Sequence, residues 1–153
     1  MPTVGRVAPN FKLNNQDGES VELKSFRGQK VALYFYPKDA TPGCTKQACN
    51  LRDNHDALTK AGIVVLGVSP DDEKKHTRFI EKQKLTFTLL CDPGHIALEK
   101  YEVWGEKSMY GRKYMGVFRR TFLIDEKGVL VAVIEKPKVS DHAAEVLAGF
   151  GVG

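Results

Sequence analysis

The fold of this chain is decided by residues 31–45, VALYFYPKDATPGCT. The apolar and aromatic run 31–36 is typical of a strand that is covered on both faces. Thr41 then reads as a helix N-cap, Pro42 as the first helical residue and Cys44 as the third. A thiol in the first turn of a helix lies where the helix dipole favours the thiolate. The stretch therefore predicts a buried strand followed by a helix that opens with a reactive cysteine, and we expect the Thr41 hydroxyl to bond near the Cys44 amide.

Strand-like and helix-like segments alternate on both sides of this stretch. Two short strand-like runs flank Asp17-Gly18 and predict an N-terminal hairpin. Helical patterns cover about 42–60, 69–84, 92–101 and 140–150 (the last capped by Ser140), strands cover 63–68, 86–90, 118–125 and 129–134, and 103–116 looks like a loop. We therefore expect a single α/β domain over residues 1–153, with a mixed central β-sheet flanked by helices.

Composition and charge exclude several classes of function. The net charge of +4 is mild and basic residues are interleaved with acidic ones, so we expect no nucleic-acid surface. No apolar run approaches the length of a membrane span, and residues 1–6 lack the apolar core of a signal peptide. A cytoplasmic protein is expected, and its three cysteines are then free, catalytic or metal-bound.

Cys44 and Cys49 fall on the same predicted helix. Five residues of α-helix separate their Cα atoms by ~8.6 Å and ~140° of rotation, whereas a disulfide requires roughly 4.4–6.8 Å. Either the two thiols never pair, or the start of the helix must unwind. Cys49 lies on the more polar side of the helix, where a second protein could reach it, while Cys91 reads as a small buried residue at a strand end.

Two other functions remain open at this point. A disulfide oxidoreductase of the thioredoxin type requires C-x-x-C at the helix start, and here the second cysteine comes two residues too late. A metal-binding or redox-sensing module would use Cys44, Cys49, Cys91 and a histidine. Structural zinc sites usually have two close pairs of ligands, and this chain has one such pair.

Several motifs together resemble the peroxiredoxins, and within them the bacterioferritin comigratory protein or PrxQ branch. These motifs are Pro37-x3-Thr41-x2-Cys44, the C-x4-C pair, residues 103–107 (VWGEK) and Arg119-x-Thr121-Phe122-Leu123-Ile124-Asp125. The resemblance covers nearly the whole chain. It implies a thioredoxin-like fold and thiol-dependent reduction of hydrogen peroxide and organic hydroperoxides.

The resemblance also assigns roles to individual residues. Cys44 resembles the peroxidatic thiolate, Cys49 the resolving cysteine and Arg119 the active-site arginine. Thr41 would hydrogen-bond the thiolate or the attacked oxygen, and Pro37 would shield the pocket from water. Gln47 stands where many members carry glutamate, which puts a minor orienting contact in doubt. The expected partners are peroxides and a thioredoxin-type dithiol protein, with no metal, flavin or haem cofactor, and a monomer is expected.

Overall fold

The apolar run 31–36 forms an interior strand of a seven-stranded sheet in the computed structural model, which describes residues 1–152. The strands are β1 Lys12–Asn15, β2 Ser20–Glu22, β3 Lys30–Phe35, β4 Ile63–Ser69, β5 Thr88–Cys91, β6 Trp104–Met109, β7 Arg112–Val117, β8 Arg120–Ile124 and β9 Leu130–Ile134. The helices are α1 Pro42–Asp53, α2 His55–Lys60, α3 Glu73–Gln83, α4 Ile96–Lys100 and α5 His142–Gly149, with a 3-10 turn at Leu23–Phe26.

The sheet is mixed, with the strand order β2-β1-β5-β4-β3-β8-β9. Strands β3, β4 and β5 run parallel, whereas β1 pairs with β5 and β8 pairs with both β3 and β9 in antiparallel fashion. The N-terminal hairpin is present as β1 and β2. The predicted α/β class and mixed central sheet are therefore confirmed.

Side-chain alternation along β3 divides the core into two clusters, one on each face of the sheet. Val31, Leu33 and Phe35 pack on one face with α4, while Tyr34 and its neighbours pack on the other face with α1, α2, α3 and α5. Gly67 on β4 allows the close packing of the second face, because a Cβ atom there would lie 2.8 Å from the Tyr34 ring. Both faces of β3 are covered, as its continuous apolar run predicts.

The carboxyl ends of the three parallel strands meet at one edge of the sheet. Residues 36–41 follow β3, residues 70–72 follow β4 and Asp92 follows β5. Backbone hydrogen bonds tie these connections together: the Tyr36 amide donates to Val68, and the Asp92 amide donates to Ser69. This is the edge of an open α/β sheet where ligands usually bind.

Three predicted elements differ in the structure. The helix expected over 42–60 is broken at Asn54, whose ψ of 14° leaves the helical range while its side-chain amide bonds to the Asn50 carbonyl. The expected loop at 103–116 is the hairpin β6–β7, which closes through Tyr110 and Gly111, both at positive φ. The last helix begins at His142 after Asp141 rather than after Ser140.

Within residues 1–152, none of the helices combines the length and the apolar character needed to cross a membrane.

Candidate active site

Cys44 lies in the first turn of α1, as the sequence predicts. Thr41 is the N-cap, with an extended ψ of 155°, and the first helical hydrogen bond runs from the Thr45 amide to the Thr41 carbonyl at 2.9 Å. The amide groups before Thr45 therefore have no acceptor within the helix. The Cys44 side chain is only 2% exposed and packs among the residues around Tyr34. The thiol is thus held at the positive end of a helix and largely out of water.

Arg119 reaches the Cys44 thiol from a distant part of the chain. Its Nη2 atom lies 3.2 Å from the Cys44 Sγ atom. A Cβ atom at position 43 would lie 3.3 Å from Nη2, so Gly43 leaves room for the guanidinium. A cation in hydrogen-bond contact favours the ionised form of a thiol. The structure therefore brings Cys44 and Arg119 together, as the resemblance implies.

Gln47 holds the other arm of the same guanidinium. Its Oε1 atom accepts a hydrogen bond of 2.5 Å from Arg119 Nη1, and its side chain is fully buried one turn after Cys44. The orienting contact that the sequence put in doubt is therefore made by the glutamine. Its Nε2 atom is buried without a hydrogen-bond partner in the described part of the chain. Such an orphan donor carries a desolvation cost.

Thr41 and Pro37 both lie in the loop between β3 and α1. The Thr41 hydroxyl donates to the Lys38 carbonyl at 2.9 Å and makes no capping bond to the helix. The predicted bond from this hydroxyl to the Cys44 amide is therefore wrong: the side chain closes its own loop instead. Pro37 is half-buried, two residues beyond the end of β3.

Cys49 is half-buried on the side of α1 that faces the end of α3. Its Sγ donates to Gln83 Oε1 at 3.5 Å, and the Gln83 carbonyl accepts a bond from Arg52 Nη1. All three cysteines are free thiols. Because α1 is continuous from Pro42 to Asp53, the separation expected for Cys44 and Cys49 in a helix applies, and no disulfide between them fits this conformation.

A buried polar network beneath the loop was missed by the sequence analysis, which gave His76 no role. His76 Nδ1 lies 2.6 Å from Asp39 Oδ2, and Tyr36 donates to the other Asp39 oxygen at 2.6 Å. The Asp39 amide donates to Asp71, which also accepts from Ser69. These residues come from the ends of β3 and β4 and from α3, so only the assembled fold brings them together. They anchor the loop that leads into α1.

His76 is a cation in this network. Its Nε2 atom lies 2.9 Å from the Leu90 carbonyl, so both ring nitrogens face acceptors, and only the imidazolium donates from both. Burial alone would lower the pKa of His76, but the hydrogen bond to Asp39, the contact with Cys91, the charge of Asp39 and the Leu90 carbonyl together raise the pKa to about 10. The Asp39–His76 pair is therefore a buried ion pair.

The thiols that a metal module would use do not come together with a histidine in the described residues. In the described residues, the one group of histidine, cysteine and carboxylate side chains with metal-like spacing is Asp39, Asp71 and His76, and it contains no cysteine. Its atoms already bind one another. Cys91 is buried at the end of β5, as predicted, and its Sγ lies 3.7 Å from the Asn15 carbonyl.

Comparison with known proteins decides the family. The model of the AhpC/TSA family matches residues 4–133. The chain belongs to the AhpC/TSA family. Among its relatives, peroxiredoxin Bcp of Escherichia coli K12 is 53% identical over 143 residues, covering 94% of this chain and 92% of the relative. Peroxiredoxin Bcp of Bacillus subtilis is 46% identical over 144 residues, with 94% and 92% covered.

Solved structures of peroxiredoxins share the fold. The bacterioferritin comigratory protein of Xanthomonas campestris, described for alkyl peroxide reduction, superposes with a TM-score of 0.89 at 34% identity, covering 97% of this chain and 98% of that one. PrxQ of Xylella fastidiosa gives 0.91 at 32% identity, covering 99% and 96%. The thioredoxin-like fold is confirmed. This peroxiredoxin is an enzyme, a peroxidase that acts on peroxides with a thiol reductant.

Replacing Gln47 tests whether it positions Arg119. In Gln47→Ala the guanidinium loses one charged hydrogen bond, so we expect kcat/KM for hydrogen peroxide to fall by roughly 10- to 100-fold. Gln47→Glu keeps the acceptor and should stay within a few-fold of the wild type. Steady-state kinetics with dithiothreitol as reductant measures both. Equal losses in the two variants would contradict a positioning role.

The His76 cation predicts a pH-dependent stability. The pKa of His76 is raised from its usual 6.5 to about 10, so its contribution is fully present below pH 6.5 and is lost as the pH rises through 10. Near neutral pH, we expect His76→Gln to lower the free energy of unfolding by about 3–5 kcal/mol. Denaturant titration should show this difference shrinking towards pH 10. The control is His55→Gln, at a half-buried histidine. If the loss of unfolding free energy in His76→Gln is the same at every pH, the ion pair is ruled out.

Proposed function

We propose that this peroxiredoxin reduces hydrogen peroxide and organic hydroperoxides at Cys44, forms a Cys44–Cys49 disulfide, and is recycled by a thioredoxin-type dithiol protein. The observation that carries the proposal is the 3.2 Å contact between Arg119 Nη2 and Cys44 Sγ at the start of α1. Few structural roles need a buried cysteine at a helix N-terminus with a guanidinium against its sulfur, whereas a nucleophilic thiolate needs both.

The first step is nucleophilic attack by the thiolate. Cys44 sulfur attacks one peroxide oxygen, the O–O bond breaks, and the second oxygen leaves as hydroxide or alkoxide, which takes a proton to become water or an alcohol. Cys44 is oxidised to sulfenic acid and the peroxide is reduced by two electrons. Making the thiol fully ionised gains at most some thirtyfold over a few per cent thiolate, and a better-stabilised thiolate is a weaker nucleophile. Most of the acceleration must therefore come from the geometry around the two oxygens.

Three groups are placed to supply that geometry. Arg119 uses two of its five N–H donors on Cys44 and Gln47, which leaves donors for the departing oxygen. The Cys44 amide, free of any helical acceptor, is a second donor. Thr41 already donates to Lys38, so its oxygen acts as an acceptor for the peroxide proton and orients the substrate. Pro37, in the same loop, excludes water from the sulfur.

The second step is resolution by Cys49. The Cys49 thiol gives up its proton, its sulfur bonds to Cys44 sulfur, and the hydroxyl of the sulfenic acid leaves with that proton as water. Because the two cysteines are ~8.6 Å apart on an intact helix, the first turns of α1 must unwind for this bond to form. Cys91 has no part in the cycle, since it is buried at a strand end and its thiol donates a hydrogen bond to the Asn15 carbonyl.

We also propose that the protein acts as a single-domain monomer in the cytoplasm. Residues 1–153 act as one domain, because one sheet collects strands from the first and last thirds of the chain. The three free thiols fit a reducing compartment, which favours the cytoplasm. The cycle is complete within one chain, so a monomer suffices, and no metal, flavin or haem enters any step.

Three single substitutions separate the roles of the cysteines. Stopped-flow measurements should show no oxidation of Cys44→Ser by hydrogen peroxide, because this variant lacks the sulfur that attacks the peroxide. Cys49→Ser should oxidise at the wild-type rate once and then stop with thioredoxin, leaving a sulfenic acid that dimedone traps. Cys91→Ser, the control, should behave as the wild type. Intact thioredoxin-driven turnover in Cys49→Ser would disprove the resolving assignment.

A further inference from the structure

A groove runs between α3 and the loop that precedes α1. Buried Phe79 lies at its base, and exposed Lys38 and Ala40 on the loop side face exposed basic residues on α3. None of the residues placed around the Cys44 sulfur lines this groove.

The exposed surface of the groove is positive. Lys75, Arg78 and Lys82 follow one another at intervals of three and four residues, which places them on one side of α3. The two carboxylates that line the groove are buried and already bound. Asp39 is paired with the His76 cation. Asp71 accepts from Ser69 and the Asp39 amide, and its other oxygen lies 4.0 Å from Lys75 Nζ. Lys38, Arg78 and Lys82 therefore carry most of the positive charge that the groove exposes. The groove therefore presents cations to solvent without exposed acidic residues.

Lys82, which lines the groove, is next in the chain to the residue that contacts Cys49. Gln83, the residue after Lys82, accepts the hydrogen bond from the Cys49 thiol. A protein seated over the basic side of α3 would therefore have its edge next to this sulfur. The proposed resolution step unwinds only the start of α1, and the basic residues of α3 lie outside the segment that must move.

We infer that this groove is the docking surface for the dithiol reductant, and that the matching surface of the partner carries carboxylates around its thiols. The inference rests on the proposed function. One thiolate of the partner attacks Cys49 sulfur, and Cys44 leaves as the thiolate that Arg119 stabilises. The second thiol of the partner loses a proton and attacks the mixed disulfide, which releases Cys49 as a thiol. Two electrons pass from the partner to this protein.

Charge reversal on α3 tests the docking surface. The variant is Arg78→Glu/Lys82→Glu, and the matched control is Lys12→Glu/Lys127→Glu, which changes the net charge equally at exposed positions outside the groove. Turnover is measured with an acidic thioredoxin and, separately, with the small neutral dithiol dithiothreitol. At low ionic strength, we expect kcat/KM for thioredoxin to fall about tenfold or more in the α3 variant alone, because surface charges act mainly on the association rate. Added salt should lower the wild-type value towards that of the variant.

The dithiothreitol arm separates the possible failures. Unchanged turnover with dithiothreitol shows that the variant is folded and its cysteines are active, so a loss confined to thioredoxin supports docking at the groove. Equal thioredoxin kinetics in the wild type and the α3 variant, or equal losses in the α3 variant and its control, would overturn the docking surface while the peroxidase cycle stands. Absence of peroxidase activity in the wild type with dithiothreitol would instead overturn the proposed function.

Discussion

The contact between the Arg119 guanidinium and the Cys44 sulfur is the constraint on which the rest of the site depends. It requires two segments that are 75 residues apart to meet within 3.2 Å. The sheet satisfies this through register: Phe35, the last residue of β3, pairs with Arg120, so Arg119 stands just beyond the end of β3, where the loop to α1 begins. Gly43 then leaves space for the guanidinium, and Gln47 fixes its direction. Strand register, the glycine at position 43 and the buried glutamine at position 47 thus each help to place the guanidinium against the sulfur.

In the proposed cycle, the same helix is held in place for one step and opened for the next. The Asp39–His76 ion pair anchors the loop before α1 to the ends of β4 and β5. Unwinding of the helix would therefore start from an anchored loop. Within the described residues, the two buried side-chain polar atoms without partners are Gln47 Nε2 and Tyr34 Oη, and the first of them belongs to α1. Unwinding the first turns would return the Gln47 amide to water, which offsets part of the cost of lost packing. Local instability at this helix is thus compatible with a rigid sheet edge.

The elements that could be predicted from the sequence are those whose signals are local. The apolar run of β3, the Thr41-Pro42 start of α1 and the Asp17-Gly18 hairpin could all be predicted, because each depends on neighbouring residues. The hairpin β6–β7 was missed, since its strands carry charged residues and its turn is Tyr110-Gly111 rather than Asn-Gly. The His76 network was also missed: its side chains come from α3 and two strand ends, and nothing local to His76 marks it as buried. The resemblance picked Arg119, and the strand register supplies the physical reason, because it places this residue just beyond the end of β3.

Stopped-flow oxidation of Arg119→Gln beside Arg120→Gln tests the central claim most directly. The two arginines are adjacent, but Arg119 contacts the thiol, whereas Arg120 donates to the Glu102 carbonyl and lies over the Phe118 ring. If the guanidinium stabilises both the thiolate and the departing oxygen, Arg119→Gln lowers the rate constant for hydrogen peroxide by about 10²–10³-fold, and Arg120→Gln leaves it within a few-fold. Similar rate constants for the two variants would contradict the account.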